Sequence, residues 1–123
     1  MTKKRILIVD DEPDLVETIQ VGLELEDYEC IVAFDGFRGL DRARSENPDL
    51  IILDVMLPVL NGYKICRLLK FDEKYKHIPI IMLTAEAQEK DRQTGQETGA
   101  DFYMIKPFSM DKLLAKVREY LGA

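Results

Sequence analysis

Histidine and cysteine are scarce in this sequence. Its 123 residues include one histidine, His77, and two cysteines, Cys30 and Cys66. A structural zinc site takes about four such ligands, so a zinc centre is excluded. The cysteines lie in apolar stretches without CxxC spacing and read as two reduced core thiols, which suits a cytoplasmic protein. His77 falls in the charged connector Glu73-Lys74-Tyr75-Lys76-His77 and reads as a solvated loop residue. Positive charge is also in deficit, with 17 basic against 23 acidic residues and a net charge of −6. Surfaces that bind nucleic acid need clustered Lys and Arg, so direct nucleic-acid binding is not expected. No apolar run approaches the roughly 20 residues of a membrane span. Met1-Thr2-Lys3-Lys4-Arg5 leads into only four strongly apolar residues, so neither a signal peptide nor a membrane role is expected.

Apolar residues make up 46% of the chain and charged residues 33%, a balance that excludes a disordered acidic tail. The length suits one domain, expected over 1–123, that buries roughly two-thirds of its unfolded surface. Short apolar runs alternate with longer amphipathic ones. Ile6-Leu7-Ile8-Val9 precedes a segment in which Leu15, Ile19 and Leu23 recur every four residues. Cys30-Ile31-Val32-Ala33 precedes Phe37, Leu40 and Ala43 at three-residue spacing. Leu50-Ile51-Ile52-Leu53 precedes a helix carrying Ile65 and Leu69, and Ile80-Ile81-Met82-Leu83 precedes a polar helix over about 88–98. Phe102-Tyr103-Met104-Ile105 precedes a last helix with Leu113, Val117 and Leu121 on one face. Runs apolar at every position suit strands buried on both faces, as in a parallel sheet with helices on both sides. Pro13 suits a first helical turn and Gly99 a helix end. The expectation is an α/β fold: a five-stranded, doubly wound parallel sheet.

In such sheets the functional crevice lies beyond the carboxyl ends of the strands. The first run ends at Asp10, Asp11 and Glu12, the third at Asp54, the fourth at Thr84 and Ala85, and the fifth at Lys106 and Pro107. Asp11, Glu12 and Asp14 around Pro13 would favour a helix start whatever the function. Thr84 alone reads as a helix cap and Lys106 alone as a surface lysine. Asp54 is followed by the apolar Val55-Met56-Leu57-Pro58 and has no such local reason. Taken together, three carboxylates at one edge would raise one another's pKa unless a cation neutralises them. All-oxygen donors suit Mg²⁺, or Mn²⁺ in its place, with open positions that phosphoryl oxygens can fill. Lys106 then supplies a point charge and Thr84 a donor, while a carboxylate attacks phosphorus to form an acyl phosphate.

From Lys4 to Leu121 the sequence resembles the receiver domain of bacterial two-component response regulators. The likeness rests on Val9-Asp10-Asp11-Glu12, Leu53-Asp54-Val55-Met56-Leu57-Pro58 with Gly62, Leu83-Thr84-Ala85, and Gly99-Ala100-Asp101-Phe102-Tyr103-Met104-Ile105-Lys106-Pro107-Phe108. The resemblance implies strand order 2-1-3-4-5 with five helices. It implies Asp54 as phosphoryl acceptor, with Asp11, Asp54 and the Met56 backbone carbonyl on Mg²⁺ and Asp10 acting through water. Thr84, Lys106 and the Ala85 backbone would contact the phosphoryl group, and Lys106–Pro107 would be cis. Thr84 and Tyr103 would form a switch that reshapes the surface of the fourth helix, fifth strand and fifth helix. Met56 and Glu86 fall where this family tunes phosphoryl lifetime. The implied partners are a sensor histidine kinase or histidine phosphotransfer protein, and a downstream target or an output domain absent from this chain. The implied role is a regulator, not an enzyme, although it assists its own phosphorylation and dephosphorylation.

The stretch Asp91–Asp101 resembles receivers attached to winged-helix transcription factors. Gln96 and Phe102 stand where those often carry leucine and a second acid, removing an apolar contact and a charge from the face used to dimerise. Other functions fit the sequence less well. A dehalogenase-type phosphohydrolase needs an acid where Met56 stands and usually carries a cap domain. A flavin carrier needs a Ser/Thr/Gly-rich phosphate loop where Asp10-Asp11-Glu12 stands. A receiver that only binds partners would not need every chemical position filled.

Overall fold

Each of the five apolar runs forms a strand. The computed structural model describes residues 2–85 and 99–122. The strands are β1 (Arg5–Val9), β2 (Glu29–Ala33), β3 (Leu50–Asp54), β4 (Ile80–Thr84) and β5 (Phe102–Ile105). All pairings are parallel and the order is β2-β1-β3-β4-β5. The described helices are α1 (Pro13–Leu25), α2 (Gly36–Glu46), α3 (Gly62–Lys70) and α4 (Met110–Leu121). They number four rather than the expected five, because the helix expected over 88–98 lies outside the described residues.

The core lies on both faces of the sheet. Leu7, Val9, Ile51, Leu53 and Met82 pack with Leu40 and Ala43 of α2 and Ile65 and Leu69 of α3. Ile6, Ile8, Ile52, Ile81 and Leu83 face the other way, onto Val16, Ile19 and Leu23 of α1 and Leu113 and Val117 of α4. Successive strand residues point to opposite faces, so continuous burial requires apolar residues at every position. Each such side chain contributes about 1.5–3 kcal/mol when fully buried. At the sheet edge β2 behaves differently: Ile31 and Ala33 are buried, Glu29 is exposed and Cys30 is only half-buried. Cys30 is therefore not the core thiol expected, although partial burial still pushes it up to about 12. Phe37 also departs from expectation. It lies 66% exposed, and α2 turns Gly36, Gly39, Leu40 and Ala43 inward instead.

Helix starts and loop anchors fix the carboxyl edge of the sheet. The side chains of Asp35, Asn61 and Ser109 cap α2, α3 and α4 by accepting from Arg38 N, Lys64 N and Lys112 N at 2.8, 3.0 and 3.1 Å. The β2–α2 turn presses on the β3–α3 loop, where Gly36 N donates to the Pro58 carbonyl at 3.2 Å. A Cβ on Gly36 would fall 1.7 Å from the Leu60 carbonyl oxygen, and one on Gly62 would fall 2.1 Å from that of Asp54. At the opposite edge Lys70 Nζ donates to the carbonyls of Lys76 and Ile78 and to Asp101 Oδ2, at 2.9, 3.0 and 2.9 Å. The same Asp101 oxygen accepts from Ile80 N at 2.8 Å, tying the starts of β4 and β5 together. Backbone cannot yield to a methyl group as a flexible side chain can, so Gly36→Ala is expected to destabilise the fold by about 2 kcal/mol or more. A urea unfolding midpoint equal to wild type would contradict that packing.

Candidate functional site

Three strand ends bring the charged groups together. Asp10 follows β1 and is fully buried, Asp54 closes β3 at 4% exposure, and Thr84 closes β4 at 5%. Lys106 follows β5, and its backbone N–H donates to the Thr84 carbonyl at 2.6 Å. The Lys106–Pro107 peptide bond is cis. Lys106 Nζ stands 3.0 Å from Asp10 Oδ2, 3.1 Å from Glu12 Oε1 and 3.3 Å from Asp54 Oδ1. One ammonium thus faces three carboxylates.

The acids divide by their surroundings. Asp10 Oδ1 accepts from Glu12 N at 3.0 Å, which shapes the β1–α1 turn. Asp10 Oδ2 is buried and has no hydrogen-bond partner among the described residues, so its contact with Lys106 is an ion pair off the hydrogen-bonding direction. Burial pushes the Asp10 carboxyl above its ordinary value, against the pull of the Glu12 amide and Lys106. Burial, followed by the charge of Asp10, pushes Asp54 up to about 6, with Lys106 pulling the other way. For Lys106 burial opposes the charged form, but its contacts with Asp10 and Glu12 and the charge of Asp54 outweigh that and raise it.

Oxygen atoms of Asp10, Asp11 and Glu12 lie within 4.8 Å of one another. A buried carboxylate oxygen without a hydrogen bond, beside two exposed carboxylates, fits a hard divalent cation such as Mg²⁺. Asp54 lies outside this close group, yet the charge of Asp11 acts on it.

The remaining candidates take distinct places. Asp54 pairs with Leu83 in register, one residue short of Thr84. Tyr103 pairs with Met82 and packs, half-buried, against the α2–α3 side of the core. Ala85 is exposed beside the ammonium, and the Met56 side chain is 74% exposed. Glu86 and Gln96 lie outside the described residues. Sequence reasoning read Glu12 as an acid at a helix start. It precedes α1, but its side chain makes no capping hydrogen bond and reaches Lys106 instead. The signal available was its place among the acids after the first strand. Its partner, 94 residues away, was not legible.

Comparison with known proteins points to one family. The family model described as response regulator receiver domain matches residues 6–118. The alkaline phosphatase synthesis transcriptional regulatory protein PhoP of Bacillus subtilis is 47% identical over 118 residues, covering 96% of this chain and 48% of that protein. The chain thus spans about half the length of the curated relatives it matches. Chemotaxis response regulator CheY4 of Vibrio cholerae aligns with a TM-score of 0.90 at 32% identity, covering 98% of this chain and 100% of that one. The receiver domain of sensor histidine kinase PA1611 of Pseudomonas aeruginosa aligns with a TM-score of 0.89 at 31% identity, covering 99% and 100%. That structure has a magnesium ion coordinated in its active site cleft.

The raised carboxyls make a pH prediction. Between about pH 4 and pH 6 the native protein holds protons that the unfolded chain has lost, so stability falls as pH rises through that window. Removing the Asp54 charge is expected to stabilise the metal-free protein by about 1–3 kcal/mol near pH 7.5 and by much less near pH 4. Urea unfolding of Asp54→Asn at both pH values checks this, and a destabilised variant near pH 7.5 would contradict it.

Proposed function

The chain belongs to the response regulator receiver domain family, and from that premise we propose that it is a phosphorylation-activated switch whose acceptor is Asp54. The phosphoryl group comes from a phosphohistidine on a sensor histidine kinase or a histidine phosphotransfer protein. The observation that carries this reading is a buried strand-end carboxylate, raised to about 6 and set 3.3 Å from an ammonium. Such a carboxylate is ionised at neutral pH yet more basic than an exposed one.

In the transfer, an Asp54 oxygen forms a bond to phosphorus while the P–N bond breaks. The electron pair stays on the imidazole nitrogen, which takes up a proton. Lys106 offsets charge on the transferring group, and the Thr84 hydroxyl and Ala85 N–H donate to its oxygens. Asp11, Asp54 and the Met56 carbonyl would hold Mg²⁺ directly, with Asp10 acting through water and Mn²⁺ as a substitute. When bound, that ion neutralises the carboxylates and the incoming phosphoryl oxygens.

Thr84 and Tyr103 relay the change. A phosphoryl group draws the Thr84 hydroxyl toward Asp54, and the Tyr103 ring fills the space vacated. The surface of β5 and α4 then changes shape for a downstream partner or an output domain; the fourth helix expected beside it over 88–98 lies outside the described residues. Moving from 1:99 to 99:1 takes about 5.5 kcal/mol of differential stabilisation. The described residues include no helix long and apolar enough to cross a membrane, and we place this role in the cytoplasm.

The test is intact-mass measurement after incubation with Mg²⁺ and acetyl phosphate. Wild type is expected to gain one phosphoryl group, and Asp54→Asn none. Lys106→Ala is expected to slow the gain about 100-fold or more, the usual loss for one preorganised charge-stabilising donor. An adduct of equal yield on folded Asp54→Asn would contradict the assignment.

A further inference from the structure

Two of the three carboxylates around Lys106 are fixed in place. Asp10 and Asp54 sit at strand ends and are buried, at 3.0 and 3.3 Å from Nζ. Glu12 is different. Its Oε1 accepts a hydrogen bond from the same nitrogen at 3.1 Å, yet its side chain is 60% exposed. An acid just before a helix interacts favourably with the helix dipole, but the Glu12 side chain makes no capping hydrogen bond. The Glu12 backbone is pinned: its N–H donates to Asp10 Oδ1 at 3.0 Å and its carbonyl accepts from Val16 N at 3.0 Å. The side chain alone crosses from the β1–α1 turn to the end of β5. Among the described residues Glu12 is the carboxylate hydrogen-bonded to the ammonium, while Asp10 and Asp54 stand beside it as ion pairs, so Glu12 takes up a donor that a phosphoryl oxygen would otherwise use.

Resting on the phosphoacceptor reading above, we propose that Glu12 is a positioning residue that occupies one donor of Lys106 before transfer and releases it to the phosphoryl group. Asp10 cannot be the one to give way, because its Oδ2 is buried and has no hydrogen-bond partner among the described residues to fall back on. Asp54 is the acceptor itself. Glu12 can turn into water, where its carboxylate is fully solvated. A cavity of about 420 Å³, lined by Glu12, Leu15, Ala85, Lys106, Pro107 and Phe108, leaves room for that exchange beside the ammonium. Glu12 thereby holds Lys106 at the mouth of the site and at the same time competes with the phosphoryl group for it. Removing the competitor should speed phosphorylation, and because the Glu12 side chain is mostly in water the gain is about two- to fivefold.

Four proteins separate the contact from bulk charge: wild type, Glu12→Gln, Glu12→Asp and Asp14→Asn. The Asp variant keeps the charge but is one methylene too short to hold Lys106. Asp14, an exposed acid in the first turn of α1, controls for the loss of one negative charge. Time courses with acetyl phosphate at saturating Mg²⁺ are read by intact mass, and Mg²⁺ affinity is measured separately by calorimetry. Glu12→Gln and Glu12→Asp are both expected to react about two- to fivefold faster than wild type, with Asp14→Asn unchanged and Mg²⁺ affinity within about twofold. A Glu12→Gln rate equal to wild type would overturn the proposal, as would a Glu12→Asp rate equal to wild type. Equal acceleration by Asp14→Asn would reduce the effect to net charge. Slower reaction of Glu12→Gln with weaker Mg²⁺ binding would make Glu12 a metal-holding residue instead. Wild type that gains no phosphoryl group would overturn both this inference and the phosphoacceptor reading, whereas a reactive wild type isolates Glu12.

Discussion

A single ammonium among carboxylates is the constraint on which the rest of the structure depends. Asp10 and Asp54 are held out of water at adjacent strand ends, and Lys106 is the one cation in contact with both among the described residues. Burying a charge without a partner costs several kcal/mol, so neither acid is tolerable there alone. The pair is still imperfectly satisfied: both carboxyls are raised, and one Asp10 oxygen has no hydrogen-bond partner among the described residues. A fold optimised only for stability would place leucine or asparagine at these positions. Keeping the acids makes sense where a cation arrives to neutralise them, as the proposed Mg²⁺ would.

The scaffold serves that edge. Parallel pairing puts all five strand ends on one side, and the order β2-β1-β3-β4-β5 sets β1 beside β3 at the point where the chain reverses direction across the sheet. Gly36 and Gly62 let two loops approach where any Cβ would collide with a carbonyl. Val59 keeps φ at 72°, a left-handed value unusual for a β-branched residue, in the tight turn where Leu60 N donates to the Pro58 carbonyl at 2.8 Å. Lys70 and Asp101 clamp the opposite edge, tying the starts of β4 and β5 together.

Much of this was legible in the sequence. Continuous apolar runs specified buried strands because a strand covered on both faces has no polar position to spare, and β1, β3 and β4 follow that rule. The edge strand β2 did not, since only one of its sides has a neighbour and Cys30 need not be buried. Phe37 fits a three-residue stripe in the sequence, but the first turn of α2 is buried through Gly36 against a loop, and periodicity carries no information about loop packing. The acids and Lys106 were identifiable from their positions after the apolar runs. The Glu12–Lys106 contact was not, because the helix dipole gives an acid before α1 an equally good local reason to be there. Asp101 was visible as part of a motif, but its bond to Ile80 N depends on where β4 starts.

The central claim is that the carboxylate of Asp54 itself becomes bonded to phosphorus. Borohydride reduces an acyl phosphate to an alcohol but leaves free carboxylates intact, so it marks the acceptor residue by residue. Protein incubated with Mg²⁺ and acetyl phosphate, treated with borohydride and digested should yield homoserine in place of aspartate at position 54 and nowhere else. Unmodified Asp54 alongside a homoserine at Asp10 or Asp11, or a phosphoryl group retained on a hydroxyl side chain, would contradict the account.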